Sequence, residues 1–414
     1  MDQNSSVRLL AGLVLAAVAI GASGSVRAQE GLRDVKHVFV IALENHNWTQ
    51  PNNNTGSLPT IQQIYQNPNA PFINRLVNGT ATAFINGHVV NISDHVAYAT
   101  AYHNVLATPS GNNPHIHPSE PNYFWAEGGT NYGVLNDDDP YQTTGQGPTS
   151  QATPLHLSTL LERAGHTWKS YQEDIDLPTN AAGHEVNIPL PVQQWTVPLQ
   201  SSSVVFDPSS PLNEYNDSLQ YNYAPKHNPE VLFDDTNGGN NSTTTNPLRL
   251  HYAPLQQLAF DLANDRVADY NWISPDLYNE MHSALKSGFA GLTGDASQIK
   301  AGDNAVARLV PLIMASRAYK DGGVIILWWD EAEEQDPNDT NADDFNHTIG
   351  EIVISNLARH NEGGLPYASS IDYTHSSDLR TMQEIFHVGP YLGDAVNATD
   401  LSDLFEPGVI PSHP

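Results

Sequence analysis

Two runs in this chain leave little choice of fold. Val38-Phe39-Val40-Ile41-Ala42-Leu43 and Val324-Ile325-Ile326-Leu327-Trp328-Trp329 contain no polar residue, and each stops at a polar pair, Glu44-Asn45 in the first and Asp330-Glu331 in the second. Apolar runs of that length, rich in β-branched and aromatic residues, are strands covered on both faces. Segments between them carry helical spacing. Leu155, Leu157, Leu160, Leu161 and Ala164 fit one face, stopped by Gly165. Pro254 is placed to open a helix through Leu255, Leu258, Ala259 and Leu262. Asp303 or Asn304 is the expected cap of another through Leu309, Leu312 and Ile313, with a kink or boundary near Pro311. A helix over 379–386 takes Ser376 or Ser377 as its cap, and further strands are expected over 267–273 and 352–354. Strands alternating with helices predict an α/β chain around a mostly parallel sheet. Ligands of such sheets sit outside the carboxyl ends of the strands, where both polar pairs fall.

Composition narrows the function. The 414 residues hold 17 Lys and Arg against 46 Asp and Glu, a net charge of −29, so there is no basic surplus to neutralise nucleic acid. Cysteine is absent, which excludes disulfides, thiolate metal sites and thiol catalysis. Arg8 followed by the apolar run from Leu9 to Ala22 has the form of an export signal ending at Ala28, with an uncleaved anchor as the other reading. The expected organisation is a signal peptide over 1–28 and one catalytic domain over 29–414. The mature protein is expected to be secreted or periplasmic, with no stable membrane insertion. Residues 175–250 are rich in Pro, Asn, Ser and Thr and predict a long surface excursion beside the site, with 235–247 close to low complexity. Nothing in the sequence speaks to oligomeric state.

Glu44 and Asn45 offer two hard oxygen ligands for a cation, and Asp330 and Glu331 two more, with Glu333, Glu334 and Asp336 crowding behind them. Each pair taken alone also suits a turn or a solvated acidic loop. In His117-Pro118-Ser119-Glu120-Pro121-Asn122 two prolines stiffen the backbone around one hydroxyl. Serine needs a base or a metal to become a nucleophile, and Asn122 is near enough in sequence to bond a phosphoryl oxygen. Six histidines recur in polar, turn-like settings: His103, His117, His227, His282, His347 and His375. Neutral imidazole binds metal and imidazolium stabilises phosphate. Lys226-His227 is a rare basic doublet, placed to receive phosphate charge or to offset nearby acids.

Eight stretches, in order, resemble the phosphoesterase family that contains bacterial phospholipases C and secreted acid phosphatases: VFVIALENHNW (38–48), HPSEPNY (117–123), SYQED (170–174), KHNP (226–229), WISPDLYNEMHS (272–283), VIILWWDEAEEQD (324–336), NHTIGEIVIS (346–355) and YTHSSDLRTMQEIF (373–386). The resemblance implies an alkaline-phosphatase-like three-layer α/β sandwich with a mostly parallel central sheet and long loop insertions. It implies hydrolysis of a phosphate ester by a serine, Ser119, with Asn122 beside it. It also implies a divalent cation (Ca, Mg, Mn, Zn or Fe) held by Glu44, Asn45, Asp330 and Glu331. His282 matches the histidine of the family's NDxHD-like segment; His103 and Lys226 are further candidates to meet the phosphate. Three departures stand out: Glu280 and Ser283 replace aspartates around His282, and Glu331 replaces the second of a double Asp. ENHNW lacks the Ser-Phe of many phospholipase-like members, which leans toward the phosphatase-like branch. The substrate expected is a small phosphate ester, with a phospholipid or other diester as the alternative. Sulfate or phosphonate ester hydrolysis, and a calcium-stabilised surface protein without activity, are rival readings.

Overall fold

The computed structural model describes residues 34–49, 63–104, 118–137, 150–332 and 348–410. The export segment expected over 1–28, His117, His347 and the acids Glu333, Glu334 and Asp336 lie outside them. The main sheet has nine strands: β1 (His37–Leu43), β2 (Val96–Ala99), β3 (Trp168–Gln172), β4 (Tyr252–Pro254), β5 (Tyr270–Ser274), β6 (Gly323–Trp329), β7 (Glu351–Ser355), β8 (His360–Asn361) and β9 (Leu365–Ser369). Their order across the sheet is β8-β9-β2-β7-β6-β1-β5-β3-β4. From β6 to β4 every pairing is parallel. β7 runs antiparallel to both neighbours, and β9 returns parallel to β2.

The central strands are buried along nearly their whole length, as their unbroken apolar sequence requires. Helices α1 (Pro71–Val77), α4 (Gln257–Ala263), α5 (Asp295–Ala315) and α6 (Arg317–Lys320) pack on one another, and α6 rests on β6. Helix α2 (Glu120–Gly128) packs on α3 (Leu157–Ala164) and α7 (His375–Ile385). Trp272 of β5 and Trp328 of β6 meet Tyr123 of α2 edge to face, and Trp328 also meets His375 of α7. With both faces of the central strands covered, the expected mostly parallel α/β sandwich is borne out.

Several local expectations shift. Helix α3 ends at Gly165 (φ +88°) as predicted. Pro254 instead closes strand β4, and α4 begins at Gln257. Helix α5 begins at Asp295 and carries Pro311 inside it. Asp303 therefore lies in mid-helix, where its Oδ1 accepts from the Phe72 and Ile73 amides and so caps α1. The cap of α7 is Thr374, which shares a capping box with Ser377. The Asn-rich stretch 235–247 is held by its own amides, with Asn246 Nδ2 donating to Asn237 O at 2.9 Å and to Asn241 O at 2.7 Å.

Candidate active site

Register places the first acids. Leu43 is paired with Trp329, so Glu44 and Asp330 leave adjacent parallel strands side by side. Asn45 takes φ +46°, a left-handed turn that asparagine tolerates, and its amide donates to Asp330 Oδ1 at 3.2 Å. The Glu44 amide donates to Glu280 O at 2.8 Å, which brings the segment after β5 to the same place. Met281, between Glu280 and His282, has φ +83°. Gly302 of α5 makes room for it, since a Cβ there would stand 2.3 Å from Met281 Cγ.

Ser119 occupies the N-cap position of α2 yet makes no side-chain capping bond. Its hydroxyl instead faces two carboxylates, 3.0 Å from Glu44 Oε2 and 3.1 Å from Glu331 Oε1. Asn122, one turn along, donates from Nδ2 to Glu331 Oε2 at 3.2 Å. The Tyr123 hydroxyl donates to Glu44 Oε1. Ser119, Asn122, Glu44, Asp330 and Glu331, which lie far apart in sequence, thus form one buried cluster.

Behind it stands a wall of histidines. The His227 ring stacks on Tyr123 with centroids 4.9 Å apart. Its Nδ1 is 2.8 Å from Glu280 Oε1 and its Nε2 is 3.4 Å from Glu44 Oε1. The His282 ring lies 5.6 Å from that of His227, and its Nδ1 bonds Ser283 Oγ at 3.0 Å. Ser283, one of the departures from the family pattern, is thus the residue that contacts His282 Nδ1. His46 is buried, with Nδ1 3.0 Å from Glu44 O and Nε2 without a hydrogen-bond partner. His375 braces the acid strand: Nε2 donates to Asp330 O at 2.6 Å while Nδ1 accepts from Trp328 Nε1 at 3.1 Å. Burial drives the His375 pKa down to about 3, as a neutral ring in that role requires.

Two candidates are paired with acids outside the cluster, Lys226 close beside it, since its partner Asp137 also accepts from the Glu120 amide next to Ser119. Lys226 is ion-paired with Asp137, and His103, on a short strand beside Tyr373 and Thr374, lies 3.6 Å from Asp372. It is the neighbour of Lys226, His227, that touches the acids. Glu280, which the sequence presented only as a departure, bonds that histidine. Tyr123 and His46 lie in the quoted stretches HPSEPNY and VFVIALENHNW, but nothing in those stretches singled either out from its neighbours.

The electrostatics are those of a site short of positive charge. Burial pushes Glu44 well above the usual carboxylate range, and Asp330, Glu280 and Glu331 push it further. Glu280 moves the same way through burial and then Asp276 and Asp330. Burial depresses His227 strongly, and brings His282 to about 4 with help from Lys226 and His46. Glu44, Asp330 and Glu331 present oxygens within 4.8 Å of one another, and the buried Asn45 Oδ1 has no hydrogen-bond partner. Three carboxylates and an amide oxygen form a donor set suited to a hard divalent cation. A second group, Glu44, His227 and Glu280, adds a nitrogen donor on the other side of Glu44.

A buried hydroxyl held by carboxylates, with an amide and imidazoles around it, is the kind of arrangement that transfers a phosphoryl group. The comparisons agree in class: the chain belongs to the Phosphoesterase family, which it matches over residues 112–389. An acid phosphatase of Aspergillus fumigatus is 30% identical over 167 residues, 40% of this chain and 28% of the relative's own length. The chain thus aligns with under a third of that relative. Among solved structures, a protein of the alkaline phosphatase superfamily from Vibrio parahaemolyticus is similar over 90% of this chain and 72% of its own, at 10% identity and a TM-score of 0.43. Murine ectonucleotide pyrophosphatase/phosphodiesterase 5, solved as an inactive variant with AMP, covers 90% of this chain and 100% of its own, at 9% identity and the same TM-score.

Proposed function

We propose that this chain is a phosphoric ester hydrolase of the acid phosphatase type, in which Ser119 is the nucleophile. The observation that carries the reading is the Ser119 hydroxyl. It stands at a helix cap position but is withheld from capping and held instead between Glu44 and Glu331. Glu44, Asn45, Asp330 and Glu331 would hold the divalent cation, which supplies fixed positive charge beside Ser119 Oγ.

The chain's own groups account for the rest. Ser119 gives up its proton toward a contacting carboxylate as Oγ attacks phosphorus, and the leaving alcohol departs on the opposite side. Asn122 Nδ2 turns from Glu331 to a phosphoryl oxygen. His227 and His282 face the reacting group from the other wall, and the proton taken up by the carboxylate passes through His227, 3.4 Å from Glu44, to the departing alcohol. Water then cleaves the phosphoserine and restores the hydroxyl. Export is part of the same reading: 1–28 has the form of a signal, and no helix among the described residues is long and apolar enough to cross a membrane.

The test compares the chain with its Ser119→Ala variant on p-nitrophenyl phosphate and on p-nitrophenylphosphorylcholine, from about pH 4 to about 9, with and without chelator. Monoester turnover that falls by about 10⁴-fold in Ser119→Ala, with unchanged circular dichroism, is the expected result. Preference for the choline diester moves the protein to the phospholipase C branch with the same residues. Near wild-type turnover in Ser119→Ala removes the serine mechanism.

A further inference from the structure

Acids also crowd a second set of strand ends, one step across the sheet. Ser274 pairs with Gln172, so Glu173 and Asp276 leave β3 and β5 close together. Asp174 follows with φ +63° and opens the excursion that begins at Ile175. Glu173, Asp174 and Asp276 are 3%, 4% and 1% exposed, and one oxygen from each lies within 4.8 Å of the others. The hydrolysis proposed above uses none of them, although SYQED and WISPDLYNEMHS carry all three.

Their hydrogen bonding is divided unevenly. Glu173 is held at both oxygens: Asn279 Nδ2 lies 3.0 and 3.1 Å from the two, Asn213 Nδ2 donates to Oε1 at 2.6 Å and the Asp276 amide to Oε2 at 2.9 Å, while burial still pushes its carboxyl up to about 7. Asp276 Oδ1 accepts from the Tyr278 and Asn279 amides. Asp276 Oδ2 and both oxygens of Asp174 have no hydrogen-bond partner. The Asn222 amide and the Asp276 carboxyl lie beside Asp174, and burial, then Glu173 and Asp276, push its carboxyl well above the usual range. No Lys, Arg or His among the described residues forms an ion pair with any of the three carboxylates. As anions, buried carboxylates left this way cost several kcal/mol each, a cost removed either by a proton or by a bound cation.

We propose that Glu173, Asp174 and Asp276 hold a hard divalent cation, calcium in class, at a site separate from the Glu44–Glu331 cluster. The donors are all oxygen, which excludes a soft metal, and three carboxylates leave room for the further oxygens calcium takes. The ion fastens the first residue of the long excursion to the sheet. It also fixes the turn from Asp276 to Glu280, whose amide donates to Asp276 O at 2.9 Å, and thereby the segment that carries Glu280 and His282.

The experiment uses the full chain carrying Asp330→Asn, stripped with chelator and titrated with calcium by calorimetry, so that the first cluster is already disabled. One bound calcium per chain, absent when Asp174→Asn is added, is expected; no binding in the Asp330→Asn chain, or binding that survives Asp174→Asn, overturns the proposal. Hydrogen exchange on the Asp330→Asn chain alone gives a reading that needs no second substitution. Calcium should slow exchange at 173–177 and 276–280; unchanged exchange there also overturns it.

Discussion

Tyr123 shows how much a single hydroxyl does in this site. Its ring is held between His227 and two tryptophans, and its OH is spent on Glu44 Oε1. Tyr123→Phe keeps the packing and removes only the donor, which leaves a buried carboxylate oxygen with less to hold it. Groups that orient a ligand in this way change metal affinity by about 10–100-fold when removed. Affinity for the cation at Glu44, measured by calorimetry in the Asp174→Asn background, should fall by that amount; unchanged affinity means that Glu44 is positioned by the strand alone. At this scale the sequence was legible where chemistry and rigidity coincide. Ser119 is flanked by two prolines, and Glu44, Asp330 and Glu331 terminate apolar runs, so each announces itself. A basic doublet is less informative, because Lys226 and His227 point to different partners and adjacency does not say which side chain faces inward.

Among elements, the junction of α2 and α3 carries a charge network remote from the Ser119 contacts. His156, at the cap of α3, bonds Glu127 through Nδ1 and Asp235 through Nε2, each at 2.8 Å, and stacks on Phe233. Burial alone would lower its pKa, but the hydrogen bonds to Asp235 and Glu127 outweigh it and raise the group to about 9. Because the folded value lies above the unfolded one, this stability is fully present below about pH 6.5 and is lost as pH rises through about 9. The loss should amount to about 3 kcal/mol. Urea unfolding on both sides of that window checks it, and His156→Gln should flatten the slope. A slope that persists in His156→Gln assigns the effect to other groups. Elements were legible in type more than in boundary. Asp303 reads as a cap and is one, but for α1 rather than for its own helix, because capping through space leaves no trace in local spacing. Pro254 misleads because proline is permitted in a strand at the sheet edge, whereas Pro311 does lie near a boundary, in the last stretch of α5 before its end at Ala315.

For the molecule as a whole, a net charge of −29 opposes any anionic substrate. Attraction must be local, and the long-range field works against encounter. Raising ionic strength screens that field, so kcat/KM for p-nitrophenyl phosphate should increase between low and physiological salt, by roughly severalfold. A decrease would mean that the approach to Ser119 is positive despite the surface around it. Fold class was legible because two unbroken apolar runs admit few arrangements. The antiparallel entry of β7 was not, since strand direction depends on the connection and not on the strand's own residues.

The pairing of Leu43 with Trp329 has a further consequence for how such a chain can change over time. Glu44 and Asp330 are 286 positions apart, yet their relation is set entirely by two neighbouring strands. Lengths of chain can be added or lost in the connections between those strands without displacing either acid. A single inserted or deleted residue within β1 or β6 would instead reverse the facing of every side chain beyond it and part the acids at once. Tolerance to insertion therefore differs sharply over a few residues. A scan of single-residue insertions should map the site's boundaries as abrupt edges, with permissive territory on the loop side of each.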